Sequence, residues 1–311
     1  MKMKISVFYG GDSPEREVSI SSGMQVAKAL KKIGYTVTLI DPSEKDFLVN
    51  LMEAKPDCVF IALHGGKGES GIIQGFLETL NLPYTGSGVL SSAICLNKII
   101  MKKLFFYHSL PTANFVEINE GTTPDDLPFG FPAVVKPANL GSTIGIKIVK
   151  DRTEMLNAVE ESFSLDNEVF VEEYLKGTEV TVGILGNENP EILPIIEIET
   201  PTGFYDYEAK YTSGGSKHII PPRLNRDALA KIEDVSLKTY KVLGCSGCAR
   251  MEIILSKDVP YILDVNTIPG LTNTSLLPDA AKAVGITFEV LCEKLVQLAI
   301  KKCENQRHKK G

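Results

Sequence analysis

The chain has 311 residues, a formal net charge of −6, 43% hydrophobic and 23% charged residues, the balance of an ordinary globular protein with room for two or three domains. Its acidic balance offers no domain-wide basic surface to neutralise phosphates, which excludes a nucleic-acid partner. No apolar run is long enough to span a bilayer, so no membrane partner is expected.

Residues 5–9 form an apolar run too short for a signal peptide, and they read as a first strand. The run ends at Gly10 and Gly11, and Ser13 and Pro14 then offer a cap and a first-turn proline for a helix. That helix carries Val18, Val26, Ala29, Leu30 and Ile33, and stops at Gly34. Residues 35–40 and 58–63 are the next strands, and 70–80 another helix. The alternation predicts an α/β fold whose N-terminal domain is an open, doubly wound parallel sheet. Ligands of such sheets sit beyond the carboxyl ends of strands, here residues 10–16 and 64–71.

From about Met101 the pattern changes. Pro111, Pro124, Pro128 and Pro132 punctuate a loop-rich entry. Strands are predicted at 133–137 and 144–150, joined by a glycine-containing loop, then a helix at 154–162 and strands at 168–173, 180–185 and 191–199. A glycine-rich loop over 202–215 leads to a helix at 226–243, a hairpin of 251–255 with 261–265, and a last helix at 288–301. Lys301, Lys302, Arg307, His308, Lys309 and Lys310 make a basic tail, expected to be frayed and solvated. The six cysteines, at 58, 95, 245, 248, 292 and 303, are scattered among apolar residues. That is reduced usage, and a cytoplasmic location is expected from it. Cys245 and Cys248 form a lone Cys-x-x-Cys without a second pair, which makes a poor zinc site.

The strongest chemical constellation is Arg250 and Glu252 followed by Asp264 and Asn266. The turn at 256–260 puts Glu252 and Asp264 near one another across a hairpin. Side chains two apart on a strand face the same way, which groups Arg250 with Glu252 and Asp264 with Asn266. Two carboxylates and a carboxamide are a hard oxygen set, suited to magnesium held together with substrate phosphates. A wet surface hairpin explains any one of these residues but not the cluster. A second constellation runs from Lys136 through Gly141, Ser142 and Gly145. It lies between two strands, so it is not a P-loop, yet a hairpin of this kind can offer N–H groups and a hydroxyl to phosphate. Lys136 adds a point charge. The aromatic loop around Phe204, Tyr205, Tyr207 and Tyr211 has the composition of an active-site lid. Glu15 and His64 stand at neighbouring strand ends, where such a sheet places ligands. No convincing Ser/His or Cys/His nucleophile pair is present, so no covalent enzyme intermediate is needed. A dinucleotide oxidoreductase is disfavoured because the first strand–turn lacks the three-glycine fingerprint. A silent nucleotide-binding module would not be expected to keep the four residues of the hairpin together.

In combination these motifs resemble the D-alanine–D-alanine ligases of the ATP-grasp superfamily. The resemblance is carried by Gly-Gly-x-Ser-x-Glu-Arg-Glu-Val-Ser at 10–19, Ala-Leu-His-Gly at 62–65 and Leu-Pro-Tyr-Thr-Gly-Ser-Gly at 82–88. Phe-Tyr-Asp-Tyr-Glu-Ala-Lys-Tyr at 204–211 and Asn-Thr-x-Pro-Gly-x-Thr at 266–272 complete it, in order, over residues 5 to 298. It implies an ATP-grasp fold in three parts: an N-terminal substrate domain over 1–97, a central subdomain over 98–178, and a C-terminal subdomain over 179–311 bearing lid and metal site. ATP would be gripped between the last two and spent on joining two D-alanines for cell-wall synthesis. The family's phosphate-binding lysines match Lys98, Lys136 and Lys210. Its adenine and ribose contacts match Glu172, Glu173, Tyr174, Leu175 and Glu179. Its ligands for two magnesium ions, with manganese as the alternative, match Glu252, Asp264 and Asn266. The first D-alanine would lie near Glu15 and His64, and the second near Ser275 and Leu276. Arg250 and the Gly270 amide match the oxyanion stabilisers, and Ser142, Glu179 and Tyr211 the set that ties the lid to the site. The resemblance also implies a homodimer.

One departure concerns the metal site, where the family usually has Arg-x-Asp at 250–252 and Glu-x-Asn at 264–266. Here the acid types are exchanged, while charge and donor count survive. The related ligases that prefer D-lactate often carry histidine at the position of Tyr211. The tyrosine therefore favours an amino acid as nucleophile, and so a dipeptide over the depsipeptide, with a D-alanine–D-lactate or D-alanine–D-serine ligase as the alternative reading.

Overall fold

The computed structural model describes residues 3–122, 124–200, 215–272 and 274–308. It contains three sheets, taken here in chain order.

The first is built from β1 (Lys4–Phe8), β2 (Thr36–Ile40) and β3 (Cys58–Ile61), all parallel, in the order β2-β1-β3. Ile5, Val7 and Phe8 are buried, as expected of a central parallel strand covered on both faces. Helix α1 (Arg16–Lys32) follows β1. It starts later than the sequence predicts because Ser13 is engaged elsewhere: its Oγ donates to the His64 carbonyl at 2.5 Å and accepts from the Glu15 amide at 3.1 Å. Helix α2 (Phe47–Ala54) lies between β2 and β3. The helix predicted over 70–80 is two pieces, α3 (Gly66–Glu69) and α4 (Ile72–Thr79). They break at Gly71, where φ is +89° and a Cβ would stand 2.7 Å from the Val89 carbonyl oxygen. Two helices the sequence reading did not foresee follow: α5 (Val89–Leu96) and α6 (Lys98–Tyr107), the latter capped by the Asn97 side chain, which accepts from the Ile100 amide at 2.9 Å.

The second sheet is antiparallel, with β4 (Phe115–Ile118), β5 (Ala133–Pro137), β6 (Lys147–Val149) and β7 (Val169–Glu173) in the order β4-β7-β5-β6. Helix α7 (Arg152–Phe163) covers it, capped by Asp151, which accepts from the Glu154 amide at 2.9 Å. β6 starts at Lys147 rather than 144 because the chain turns ahead of it, with positive φ at Ser142, Thr143 and Gly145.

The third sheet holds β8 (Thr178–Gly186), β9 (Glu191–Ile192), β10 (Ile196–Glu199), β11 (Lys217–Ile219), β12 (Gly247–Ser256) and β13 (Val259–Asn266). Its order is β11-β10-β8-β12-β13, with β9 also on β8. Helix α8 (Arg226–Val242) packs Ile232, Val235 and Tyr240 against Val180, Val182, Met251 and Ile253. Helices α9 (Leu276–Ala283) and α10 (Phe288–His308) end the chain. They return to its beginning: Leu276, Leu291, Leu295 and Val296 share one buried cluster with Ile5, Val7, Val26 and Leu30.

The basic tail is not frayed over its described part, although Lys301 is exposed as expected. Residues 301–308 continue α10, and Lys302 turns inward over the Tyr84 ring, 4.3 Å from its centroid, donating to the Gly86 carbonyl at 2.9 Å. Burial pushes its pKa down to about 8. Among the described residues no helix is long and apolar enough to cross a membrane, and the six cysteines are free thiols.

Candidate active site

The hairpin of β12 and β13 supplies the site's floor. Ala249, Met251 and Ile253 turn into the core, so Arg250 and Glu252 face the opposite way. Arg250 stands opposite Asn266, and Glu252 opposite Asp264. The register shifts between Glu252 and Ile253, where Ile253 pairs with Ile262 and Leu263 is the extra residue. Without that bulge Leu263 would face Glu252, so the bulge is what sets the two carboxylates side by side. Arg250 Nη2 donates to Glu252 Oε1 at 2.9 Å, and Nη1 donates to Thr181 Oγ1 of β8 at 3.1 Å. Lys98, at the start of α6, holds its Nζ 3.8 Å from Asp264 Oδ1 and donates to the Leu140 carbonyl at 2.9 Å. The Asn266 side-chain oxygen accepts from the Ile268 amide at 2.8 Å, which fixes the turn into residues 267–270.

Glu15, in the loop after β1, comes over this floor from the other side. It is buried, and the Ser142 hydroxyl donates to its Oε1. Neighbouring backbone is shaped around it, since a Cβ on Gly65 or Gly141 would stand 2.7 or 2.8 Å from its Oε2. His64 is buried beside it, with Nε2 3.1 Å from Ser22 Oγ and Nδ1 3.7 Å from Glu69 Oε1. Ser275 closes the far wall, where its Oγ accepts from the Thr272 amide at 3.0 Å. Glu15, His64, Lys98, Ser142, Arg250, Glu252, Asp264, Asn266, Gly270, Ser275 and Leu276 thus line one polar cavity of about 70 Å³.

A second, larger cavity of about 480 Å³ adjoins it. Lys98, Gly141, Ser142, Glu252 and Asp264 border both. Lys136, Glu172, Glu173, Tyr174, Leu175 and Glu179 line the larger one. Lys136 on β5 and Glu172 on β7 sit on the same face of the second sheet in diagonal register, within reach of long side chains. The Lys136 ammonium is 2.5 Å from Glu172 Oε1, and Lys102 is 2.9 Å from Oε2. Burial works against the Glu172 charge, but the two lysines outweigh it and hold its pKa below the ordinary carboxylate range. Burial also opposes the charge of Lys136, where the adjoining Glu172 prevails and holds the pKa above its ordinary value.

The cavities bring together the predicted residues from all three stretches of chain. Tyr211, Lys210 and most of the predicted lid over 202–215 lie outside the described residues. Sequence reading missed Glu69 as the partner of His64, Thr181 as the anchor of Arg250, and Lys102 as the second cation on Glu172. It also missed the pair at the mouth of the larger cavity, where Arg223 Nε donates to Glu197 Oε1 at 3.0 Å. Glu69 had a visible signal in its place five residues after His64; the other three depend on contacts across long separations.

This arrangement matches known proteins along its whole length. The family described as D-ala D-ala ligase N-terminus matches residues 41–87, and the one described as D-ala D-ala ligase C-terminus matches 106–297. A D-alanine–D-alanine ligase of Carboxydothermus hydrogenoformans is 45% identical over 308 residues, covering 96% of this chain and 98% of the relative. One of Pelotomaculum thermopropionicum is 46% identical, covering 99% of this chain and all of the relative. The chain belongs to the D-alanine–D-alanine ligase family. The crystal structure of the ligase from Bacillus anthracis complexed with ATP superposes with a TM-score of 0.86 at 34% identity, covering 98% of this chain and 99% of the other. A second structure of the Bacillus anthracis ligase gives a TM-score of 0.85 at 37% identity, with the same coverage. The mixed helix and sheet architecture is therefore the ATP-grasp fold of the D-alanine–D-alanine ligases, with the parallel sheet as its N-terminal element.

Proposed function

We propose that the protein joins two D-alanines at the expense of ATP, through an acyl phosphate, to supply D-alanyl-D-alanine for peptidoglycan. The observation that carries this reading is the shared wall of Lys98, Ser142, Glu252 and Asp264 between a small polar cavity and a nucleotide-sized one. A reaction between a small acid and a γ-phosphate needs that adjacency.

In this reading the larger cavity takes ATP, with the base and ribose along Glu172, Glu173, Tyr174, Leu175 and Glu179 and the phosphates toward Lys136 and Lys98, and with Lys210 as a third phosphate lysine. The small cavity takes the first D-alanine near Glu15 and His64, and the second near Ser275 and Leu276. The carboxylate of the first attacks the γ-phosphorus, which gives the acyl phosphate and ADP. The amine of the second then attacks the acyl carbon, and phosphate leaves. Arg250 and the Gly270 amide meet the oxyanion of that step; one such donor contributes roughly 3 kcal/mol. Arg250 is suited to this, because Thr181 and Glu252 fix its guanidinium from two sides.

Among the described residues no three His, Cys, Asp or Glu side chains gather into a cage, but the donor set at the hairpin fits magnesium. Glu252, Asp264 and Asn266 are hard oxygen donors on one face of paired strands, and magnesium binds through one or two carboxylates plus substrate phosphates. These three residues would hold it, with manganese as the alternative ion. When bound it supplies charge neutralisation at the phosphates. The same reading divides the chain at 1–97, 98–178 and 179–311, each part containing one sheet apart from the first residue of β8, and takes the protein to be a cytoplasmic homodimer.

The test is ADP and phosphate release with D-alanine, L-alanine or no amino acid, each with and without magnesium, with the product identified by mass. Magnesium-dependent turnover with D-alanine alone, yielding the dipeptide, is expected. Turnover only with another amino or hydroxy acid would replace the substrate, and no turnover would overturn the reading. Tyr211 supports dipeptide over depsipeptide; mainly depsipeptide from a D-alanine and D-lactate mixture near neutral pH would reverse that choice.

A further inference from the structure

Lys102 lies one helical turn beyond Lys98 on α6, on the same face. It borders neither cavity and is fully buried. Its ammonium meets Glu172 Oε2 at 2.9 Å, Thr112 Oγ1 at 2.7 Å and the Ala113 carbonyl at 3.2 Å. The Thr112 hydroxyl proton is committed to the Ile262 carbonyl at 2.8 Å, so toward Lys102 it only accepts. The Glu172 carboxylate at 2.9 Å favours the ammonium form of Lys102, against burial, which by itself lowers its pKa.

A buried charge is costly to desolvate, and this one stands against a single carboxylate partner. The partner is Glu172, whose two oxygens are divided between two cations: Oε2 to Lys102 and Oε1 to Lys136. Lys136 borders the larger cavity and Lys102 does not. With Lys102 in place the three residues carry a net charge of +1, and Glu172 is already half satisfied from behind. With Lys102 removed, Lys136 would be the sole counter-ion of a buried carboxylate, and its contact at 2.5 Å would be harder to release to a phosphate.

We propose that Lys102 is a positioning residue for the nucleotide: it occupies one oxygen of Glu172 so that Lys136 stays available to a phosphate. This rests on the larger cavity being the ATP site. It differs from a general role in stability, because it acts through one carboxylate and on one of the two substrates.

The experiment measures ATP affinity by calorimetry with magnesium present and D-alanine absent, the KM for D-alanine, and the thermal midpoint. The proteins are the wild type, Lys102→Met, Glu172→Gln and the double variant. Lys102→Met is expected to weaken ATP at least ten-fold while the KM for D-alanine stays within about three-fold. In the double variant the neutral amide at position 172 no longer captures Lys136, so its ATP affinity is expected within about three-fold of Glu172→Gln alone. If the effects of the two substitutions on ATP affinity are additive, or if ATP and D-alanine suffer equally, the proposal is overturned. Should Lys102→Met fail to fold, the double variant, in which Lys136 at the border of the cavity is the one charge left of the three, carries the comparison with Glu172→Gln: a ten-fold gap between them rejects the proposal. A wild-type protein that does not bind ATP would instead remove the functional reading beneath it.

Discussion

The Ser142 hydroxyl donates to Glu15 Oε1 across 127 positions of sequence, and so ties the glycine hairpin of the second sheet to the loop that follows the first strand. The contact brings the edge of one cavity onto a carboxylate of the other. Glu15 is buried, and it faces the place assigned to the first D-alanine. Glu15→Gln keeps the shape and the acceptor for Ser142 but removes the charge for a substrate ammonium. A charge-assisted hydrogen bond contributes about 1.5–3 kcal/mol, so kcat/KM for D-alanine should fall roughly 10- to 100-fold. Steady-state kinetics with each substrate varied in turn checks this; a change confined to the KM for ATP would contradict it.

Gly141 lies against the same carboxylate, where a Cβ would stand 2.8 Å from Glu15 Oε2. Its backbone is not left-handed, unlike that of Gly65, which has φ +68°. Gly141→Ala should therefore displace Glu15 with little backbone strain, and Gly65→Ala should do so with strain of about 1 kcal/mol or more besides. Both variants should lose D-alanine turnover at least ten-fold, and Gly65→Ala should show the lower thermal midpoint. Equal midpoints with full activity would mean that the glycines are not shaped around Glu15.

Glu252 and Asp264 face each other across the bulge at Leu263. If both hold magnesium, Glu252→Gln or Asp264→Asn should lower kcat by about 10³-fold, the scale of several kcal/mol of charge stabilisation. The paired exchange Glu252→Asp with Asp264→Glu keeps charge and donor count, and should retain activity within about ten-fold. Turnover across a magnesium titration separates these cases. A paired exchange as inactive as the single neutral variants would show that acid length, not charge, governs the site.

Lys302 gives a pH dependence of the less common sign. Its folded pKa, about 8, lies below its ordinary value of 10.5, so between those limits the unfolded chain binds more protons. Stability from this group therefore rises with pH from about 8 to 10.5, by up to about 3 kcal/mol if the burial is retained. Unfolding in urea at pH 7.5 and 9.5 should show the wild type gaining on Lys302→Met at the higher pH. A constant difference between the two proteins would place the ammonium in solvent.

The parts of the site that the sequence disclosed are those set by local rules. Strand parity groups Arg250 with Glu252 and Asp264 with Asn266, and the turn at 256–260 brings the two pairs together. The bulge was not legible, since an extra residue leaves no mark in an apolar run such as Tyr261, Ile262 and Leu263. Lys102 and Lys302 read as ordinary surface lysines in basic stretches, because what buries them lies far away, at Glu172 and at Tyr84 with Gly86. Helices α2, α5, α6 and α9 were lost for a different reason. α2, α5 and α9 are only eight residues long and α6 ten, and α2 keeps only Leu51 buried, so a periodic pattern has little room to appear.

The cluster that joins Leu291, Leu295 and Val296 to Ile5, Val7 and Leu30 has a consequence for synthesis. That face of the first sheet receives part of its cover from a helix made long after it. Until α10 has emerged, that apolar face has α1 as native cover but lacks the rest, and a growing chain must be shielded or stay loosely collapsed over that interval. A ribosome stalled shortly before α10 would thus hold a nascent chain whose first sheet is covered on that face by α1 but not yet by α10, and consolidation of the sheet waits for that helix.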